Sequence, residues 1–113
     1  MNSQTLCAIL AAWLAACGLA LADQHTEEAL RHAEEAASST GDSKAISEHA
    51  NEALKHIDAA KAGVAASDPE AFKRLRKSEA DLKAAVQNAQ RFNADTAAKD
   101  AKDAKDQLES LKK

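Results

Sequence analysis

The chain is expected to be all-α: an antiparallel four-helix bundle formed by residues 23–113, preceded by an N-terminal signal peptide, residues 1–22. Three observations predict this. Beyond residue 22 the chain holds 22 alanines but only 12 residues drawn from Val, Ile, Leu and Phe, a composition that favours helix and leaves a thin core. The apolar residues recur at alternating spacings of three and four, the helix period. Gly41 and Pro69 fall between these periodic runs and punctuate them.

Residues 1–22 contain no Asp, Glu, Lys or Arg. The uncharged stretch from Leu6 to Leu21 is 16 residues long, short of the roughly 20 that a membrane span needs, and it suits the apolar region of a signal peptide. Ala20-Leu21-Ala22 supplies small residues at alternate positions, so cleavage would leave Asp23 as the new N-terminus. A rival reading takes Leu14-Ala15-Ala16-Cys17 as a lipobox, with Cys17 acylated as the first residue of an anchored lipoprotein. Met1 to Thr5 lacks the basic residue usual in either signal. Both readings place the domain outside the cytoplasmic membrane, in a bacterial periplasm.

Helix 1 is expected from about Gln24 to Ser39, ending at Gly41, where a left-handed cap costs little. Helix 2 starts after Asp42 or Ser43 and carries the seam Ile46, Ala50, Ala53, Ile57, Ala60 and Val64. Ser67-Asp68-Pro69-Glu70 combines a serine N-cap, a first-turn proline and a capping-box glutamate, so helix 3 starts there. Its face reads Phe72, Leu75, Leu82, Val86 and Ala89, with Glu79 in the gap and expected to snorkel to water. Asn93 is placed to cap helix 4, whose seam is Ala94, Ala97, Ala101, Ala104, Leu108 and Leu111. The charged run from Lys99 to Asp106 then lies on its solvent side.

Composition also excludes several functions. With 15 basic and 18 acidic residues the net charge is −3, so no basic field exists to hold nucleic acid. Both cysteines, the Trp and the Met lie in the first 22 residues. The remainder therefore offers no thiolate or thioether for disulfide, iron–sulfur, cysteine–zinc or methionine–haem chemistry. No glycine-rich loop is present to cradle a phosphate, and the chain is not expected to be an enzyme. Narrow alanine seams with interspersed Lys and Asp argue against strong membrane insertion unless Cys17 is lipidated, and a monomer is expected.

The informative feature is an internal repeat with an offset of 24 residues: His25-Thr26-Glu27-Glu28-Ala29-Leu30-Arg31-His32-Ala33-Glu34 matches His49-Ala50-Asn51-Glu52-Ala53-Leu54-Lys55-His56-Ile57-Asp58 at five of ten positions. It contains all four histidines. Each copy reads His-x-x-Glu-x-x-x-His, placing Glu28 between His25 and His32, and Glu52 between His49 and His56, on one helical stripe. Two histidines seven residues apart stand about 10.5 Å apart along the axis, so one stripe does not make a closed metal site. Folding helices 1 and 2 back about a centre near residue 40 or 41 brings His32 level with His49 and His25 level with His56. Whether the stripes then meet or turn away is open in the sequence, and surface histidines with no ligand role remain the plainer reading of the spacing alone.

Residues 24–64, with their His-x-x-Glu-Ala-Leu-Arg/Lys-His units, alanine-rich core and Gly41-Asp42 break, resemble the periplasmic small metal-binding proteins of ammonia-oxidising bacteria. The resemblance implies a four-helix bundle that binds divalent metal ions, copper above all, with His25, His32, His49 and His56 as ligands. The chain departs from that pattern in having few histidines, none of them in helices 3 and 4.

Imidazole with carboxylate and no thiolate suits Cu(II), Ni(II) or Zn(II), with Cu(II) first in affinity. Exposed helix-flank sites imply exchangeable binding, hence metal buffering, scavenging or delivery. The alternative is a periplasmic structural or stress-related helical protein that binds a partner, its histidines incidental. Cleavage after Ala22 would create one more ligand set: the Asp23 amine, the Gln24 and His25 amides and the His25 imidazole closing in a plane around Cu(II) or Ni(II).

Overall fold

The computed structural model describes residues 24–64 and 68–112. The signal segment, Cys17, Asp23 with its prospective amine, and Ser67 lie outside the described residues. Helix α1 covers residues 24–38, α2 Ser43–Val64, α3 Pro69–Gln90 and α4 Ala94–Glu109, followed by a 3-10 turn at Ser110–Lys112. No described residue is in a strand. Among the described residues no helix is long and apolar enough to cross a membrane.

The α1–α2 connection forms for local reasons. Ser38 Oγ and Ser39 Oγ donate back to the carbonyls of Glu34 and Glu35, at 2.6 and 2.7 Å, adding side-chain hydrogen bonds to the backbone where the helix ends. Gly41 then takes φ +84°, with open space where a Cβ would stand. The requirement for glycine here comes from the backbone rather than from crowding. Asp42 caps α2, its carboxylate accepting from Ala45 N–H at 3.0 Å.

At the start of α3 the cap is Asp68, whose Oδ1 accepts from Ala71 N–H at 3.1 Å, one residue later than the expected Ser67. Pro69 therefore occupies the first helical position, where its missing N–H costs nothing. Asn93 stands at the N-cap of α4 without a side-chain hydrogen bond. It serves instead as the last residue of an α3 closing motif: Asn93 N–H donates to Asn88 O at 2.8 Å and Phe92 N–H to Ala89 O at 3.0 Å. This is the Schellman pattern, and the residue in its left-handed position is Phe92, at φ 59° and 88% exposed.

The helices run antiparallel around an alanine-dominated core. Of the 18 buried apolar residues among those described, 12 are alanine, so helix backbones approach closely and few side chains carry most of the burial. The larger ones are Leu30, Ile46, Ile57, Leu75, Leu82 and Leu108. The expected α2 seam is buried from Ile46 to Ala60, with Val64 half-buried at its end. The α4 seam is likewise buried from Ala97 to Leu108. On α3 the core stripe is Leu75, Ser78, Leu82, Ala85 and Ala89, and Phe72 and Val86 stand half-buried on its flank. Ser78 enters the core because its hydroxyl donates to Arg74 O at 2.9 Å and leaves no polar group unpaired.

Polar contacts fix the helix pairing. Asn88 Nδ2 donates to Asp100 Oδ2 at 2.7 Å and Arg74 Nη1 to Ser110 O at 3.2 Å, across α3 and α4. Lys61 of α2 pairs with Glu79 of α3. Glu79 does not snorkel to water: its side chain is 18% exposed, and the Lys61 ammonium holds its carboxyl below the usual range. A shallow groove between α1 and α4, lined by Glu34, Ala37, Ser38, Lys102 and Lys105, marks the closure of the bundle.

Candidate metal centre

Helix α1 presents His25, Glu28, His32 and Glu35 at steps of three, four and three, a continuous stripe. Helix α2 presents His49, Glu52 and His56. Gly41 and Asp42 set the hairpin register, and the two stripes meet. The His25 and His56 rings lie 5.2 Å apart, His32 and His49 5.8 Å, and His32 and His56 5.7 Å with planes only 10° apart. The four histidines form a ladder across the α1–α2 groove with the pairing expected from the repeat.

Two groups within this ladder have the dimensions of a metal site. Glu28, His32 and His56 offer ligand atoms all within 4.8 Å of one another, as do His32, Glu35 and His49. Two donors about 2.1 Å from a common ion stand at most about 4.2 Å apart, so either group reaches coordination distance with small side-chain rotations. In the second group His49 Nδ1 lies 2.8 Å from Glu35 Oε2, and His32 Nδ1 3.8 Å from the same oxygen. His32 belongs to both groups. All members are partly buried.

The remaining expected ligands stand at different distances from these groups. His25 joins the ladder through His56, with the two Nδ1 atoms 2.9 Å apart, but belongs to neither group. Glu52 also belongs to neither; it accepts from Lys55 Nζ at 3.1 Å. Asp23 lies outside the described residues. Glu35 was not among the expected ligands, although His32-x-x-Glu35 has the same spacing as His25-x-x-Glu28. The repeat concealed it: the matching position in the second copy is Ala59.

The electrostatics prepare these groups to ligate. Burial, together with the Arg31 charge, pushes the His32 imidazole below the ordinary histidine value, which keeps it neutral and available at neutral pH. Arg31 bonded to Glu28, and Lys55 bonded to Glu52, hold those carboxyls below the usual range. His32 Nδ1 is buried and has no hydrogen-bond partner. A buried polar atom left unpaired costs about 1–3 kcal/mol, and a cation at the centre of the His32–Glu35–His49 group would give it one.

The model of the small metal-binding protein family matches residues 1–111. No curated protein and no solved structure gives a significant match. The match runs through all four helices, including the two that carry no histidine, so it extends beyond the repeat; the chain belongs to the small metal-binding protein family.

Proposed function

We propose that the protein is a periplasmic carrier of divalent metal ions that takes Cu(II) in preference to Ni(II) or Zn(II) and holds it exchangeably between α1 and α2. The observation that carries this reading is the pair of His/Glu groups meeting across the hairpin, with an unpaired imidazole nitrogen between them. Nitrogen and carboxylate donors without thiolate give Cu(II) the highest affinity among these ions. The groups are only partly buried and close to solvent, which suits an ion that is cargo for buffering, scavenging or delivery. Residues 1–22 supply the export signal on this reading, and His25, His32, His49, His56, Glu28 and Glu35 form the ligand field, with Glu52 beside it and held by Lys55.

The N-terminal chelate is a second, separable site on the same reading. With Asp23 as the first residue, the amine, the Gln24 and His25 amides and the His25 ring would close on Cu(II) or Ni(II). His25 would then leave His56, so chelate and ladder compete for one side chain. The deciding experiment is titration of the purified protein with Cu(II), Ni(II) and Zn(II) against a competing chelator, alongside a His32→Ala, His49→Ala double variant. Binding in the order Cu(II) above the other two, with loss of the hairpin component in the double variant, supports the proposal. Equal binding by both proteins overturns the hairpin site, and no binding by either favours a structural protein with incidental histidines.

A further inference from the structure

The carboxylates of the two groups are not free. Arg31, one residue before the shared His32, places Nη2 2.6 Å from Glu28 Oε2 and 3.4 Å from His32 Nε2, while its Nη1 lies 3.0 Å from Glu35 Oε1. Its guanidinium therefore sits among three candidate donors, one from each of three residues. The contacts are unequal in consequence. Glu35 meets Arg31 through Oε1 and keeps Oε2 turned to His49 and His32, so that group can close on an ion with Arg31 still held by both carboxylates, the His32 ring proton moving to Nε2 and the long Arg31–Nε2 contact opening. Glu28 and the Nε2 side of His32 already share the guanidinium.

We propose that Arg31 is an internal counter-cation that an incoming metal ion must displace from Glu28, so that a single ion, for which the two groups compete through the one lone pair of the shared His32, settles in the His32–Glu35–His49 group in preference to Glu28–His32–His56. The proposal rests on the metal-carrier reading above and adds to it a choice of group and a means of release. Arg31 has room to leave, its side chain being 53% exposed, and a planar fork of donors returns readily to a carboxylate once the ion departs. Lys55 does not reproduce this arrangement in the second copy of the repeat: it bonds Glu52, which is in neither group.

The test is a Zn(II) titration of the purified protein, its Arg31→Gln variant, Glu28→Gln, and the Arg31→Gln, Glu28→Gln double variant, with circular dichroism confirming that each remains helical. Zinc is chosen because the planar N-terminal chelate selects Cu(II) and Ni(II). Freeing Glu28 from a surface ion pair is expected to tighten zinc binding about threefold. That gain should disappear when Glu28 is also neutral, because there is then no carboxylate for Arg31 to occupy. A gain that persists without Glu28 reduces Arg31 to a general charge effect and overturns the displacement. Unchanged or weaker binding in Arg31→Gln overturns it as well, since Arg31 would then only orient Glu28. Absence of zinc binding by the unmodified protein and by Arg31→Gln alike refutes the carrier reading itself.

Discussion

Replacing His32 with leucine should stabilise the metal-free protein while abolishing its response to metal. The His32 side chain is 14% exposed and its Nδ1 is buried without a partner. Leucine has similar bulk, removes an unpaired polar atom worth about 1–3 kcal/mol and adds apolar burial. A net gain of about 1–2 kcal/mol corresponds to a melting temperature higher by roughly 5–10 °C for a domain of this size. With zinc at one hundred times its dissociation constant, the unmodified protein should gain about 2.7 kcal/mol by mass action. The leucine variant should gain nothing through the hairpin, having lost the residue both groups share, so the order of stability reverses between chelator and metal. The depressed His32 pKa adds a pH signature. A group whose folded pKa lies below its unfolded value, about 6.5 for histidine, contributes stability above that value and loses it as pH falls through the folded pKa. His32's share of the acid destabilisation should therefore be missing from the variant. Urea unfolding followed by circular dichroism, with EDTA or with zinc, at pH 7.5 and pH 5, measures all three effects. A variant less stable than the parent in EDTA, or equally stabilised by zinc, would refute the reasoning.

Three further outcomes are expected. Phe92→Gly should raise stability by about 1 kcal/mol, because a side chain in the left-handed region costs about 1–2 kcal/mol and Phe92, exposed to solvent, gives up little burial; equal or lower urea midpoints would show that the ring has packing value. Asp81→Asn should stabilise at pH 7 and have no such effect at pH 3. Burial, reinforced by Asp103 and Asp100, pushes the Asp81 carboxyl up, so the ionised fold carries a penalty above the folded pKa that vanishes below the unfolded value of about 3.9; a pH-independent difference would contradict that sign. Glu35→Gln should weaken zinc binding about tenfold while Glu52→Gln leaves it nearly unchanged, as read by chelator competition, and the reverse order would shift the site toward the second copy of the repeat.

The helices were legible where their boundaries carry a local chemical signal. Gly41 ends α1, Asp42 caps α2 and Pro69 opens α3, all as their types dictate. The inaccuracies arise where chemistry departs from type. On α3, size misled: Phe72 and Val86 are the bulkier residues, yet Ser78 and Ala85 complete the spacing of three and four that aligns with the core. Glu79 found a lysine on a neighbouring helix, a partner no local window shows. The α3–α4 turn had no glycine to mark its left-handed residue, which is Phe92. In the candidate site, the pairing of histidines followed from the repeat, whereas the direction in which the stripes point depended on how α3 and α4 close the bundle.

The repeat also explains why the site is lopsided. An antiparallel hairpin of two identical copies would be related by a pseudo-two-fold axis, and its ligands would come in equivalent pairs. The histidines obey that rule, His25 against His56 and His32 against His49. The carboxylates break it. Glu35 has Ala59 as its counterpart in the second copy, and Glu35 is the residue that joins His32 to His49 near the turn. At the open end Glu28 is present but held by Arg31. The end nearest the Gly41 turn is therefore also the end with a carboxylate oxygen turned to the histidines rather than to Arg31, and with an unpaired imidazole nitrogen. The short connection tethers both helices of the hairpin there, so the ligands are pre-positioned at less entropic cost than at the far end, which gives the turn-proximal group a second, independent reason to be preferred.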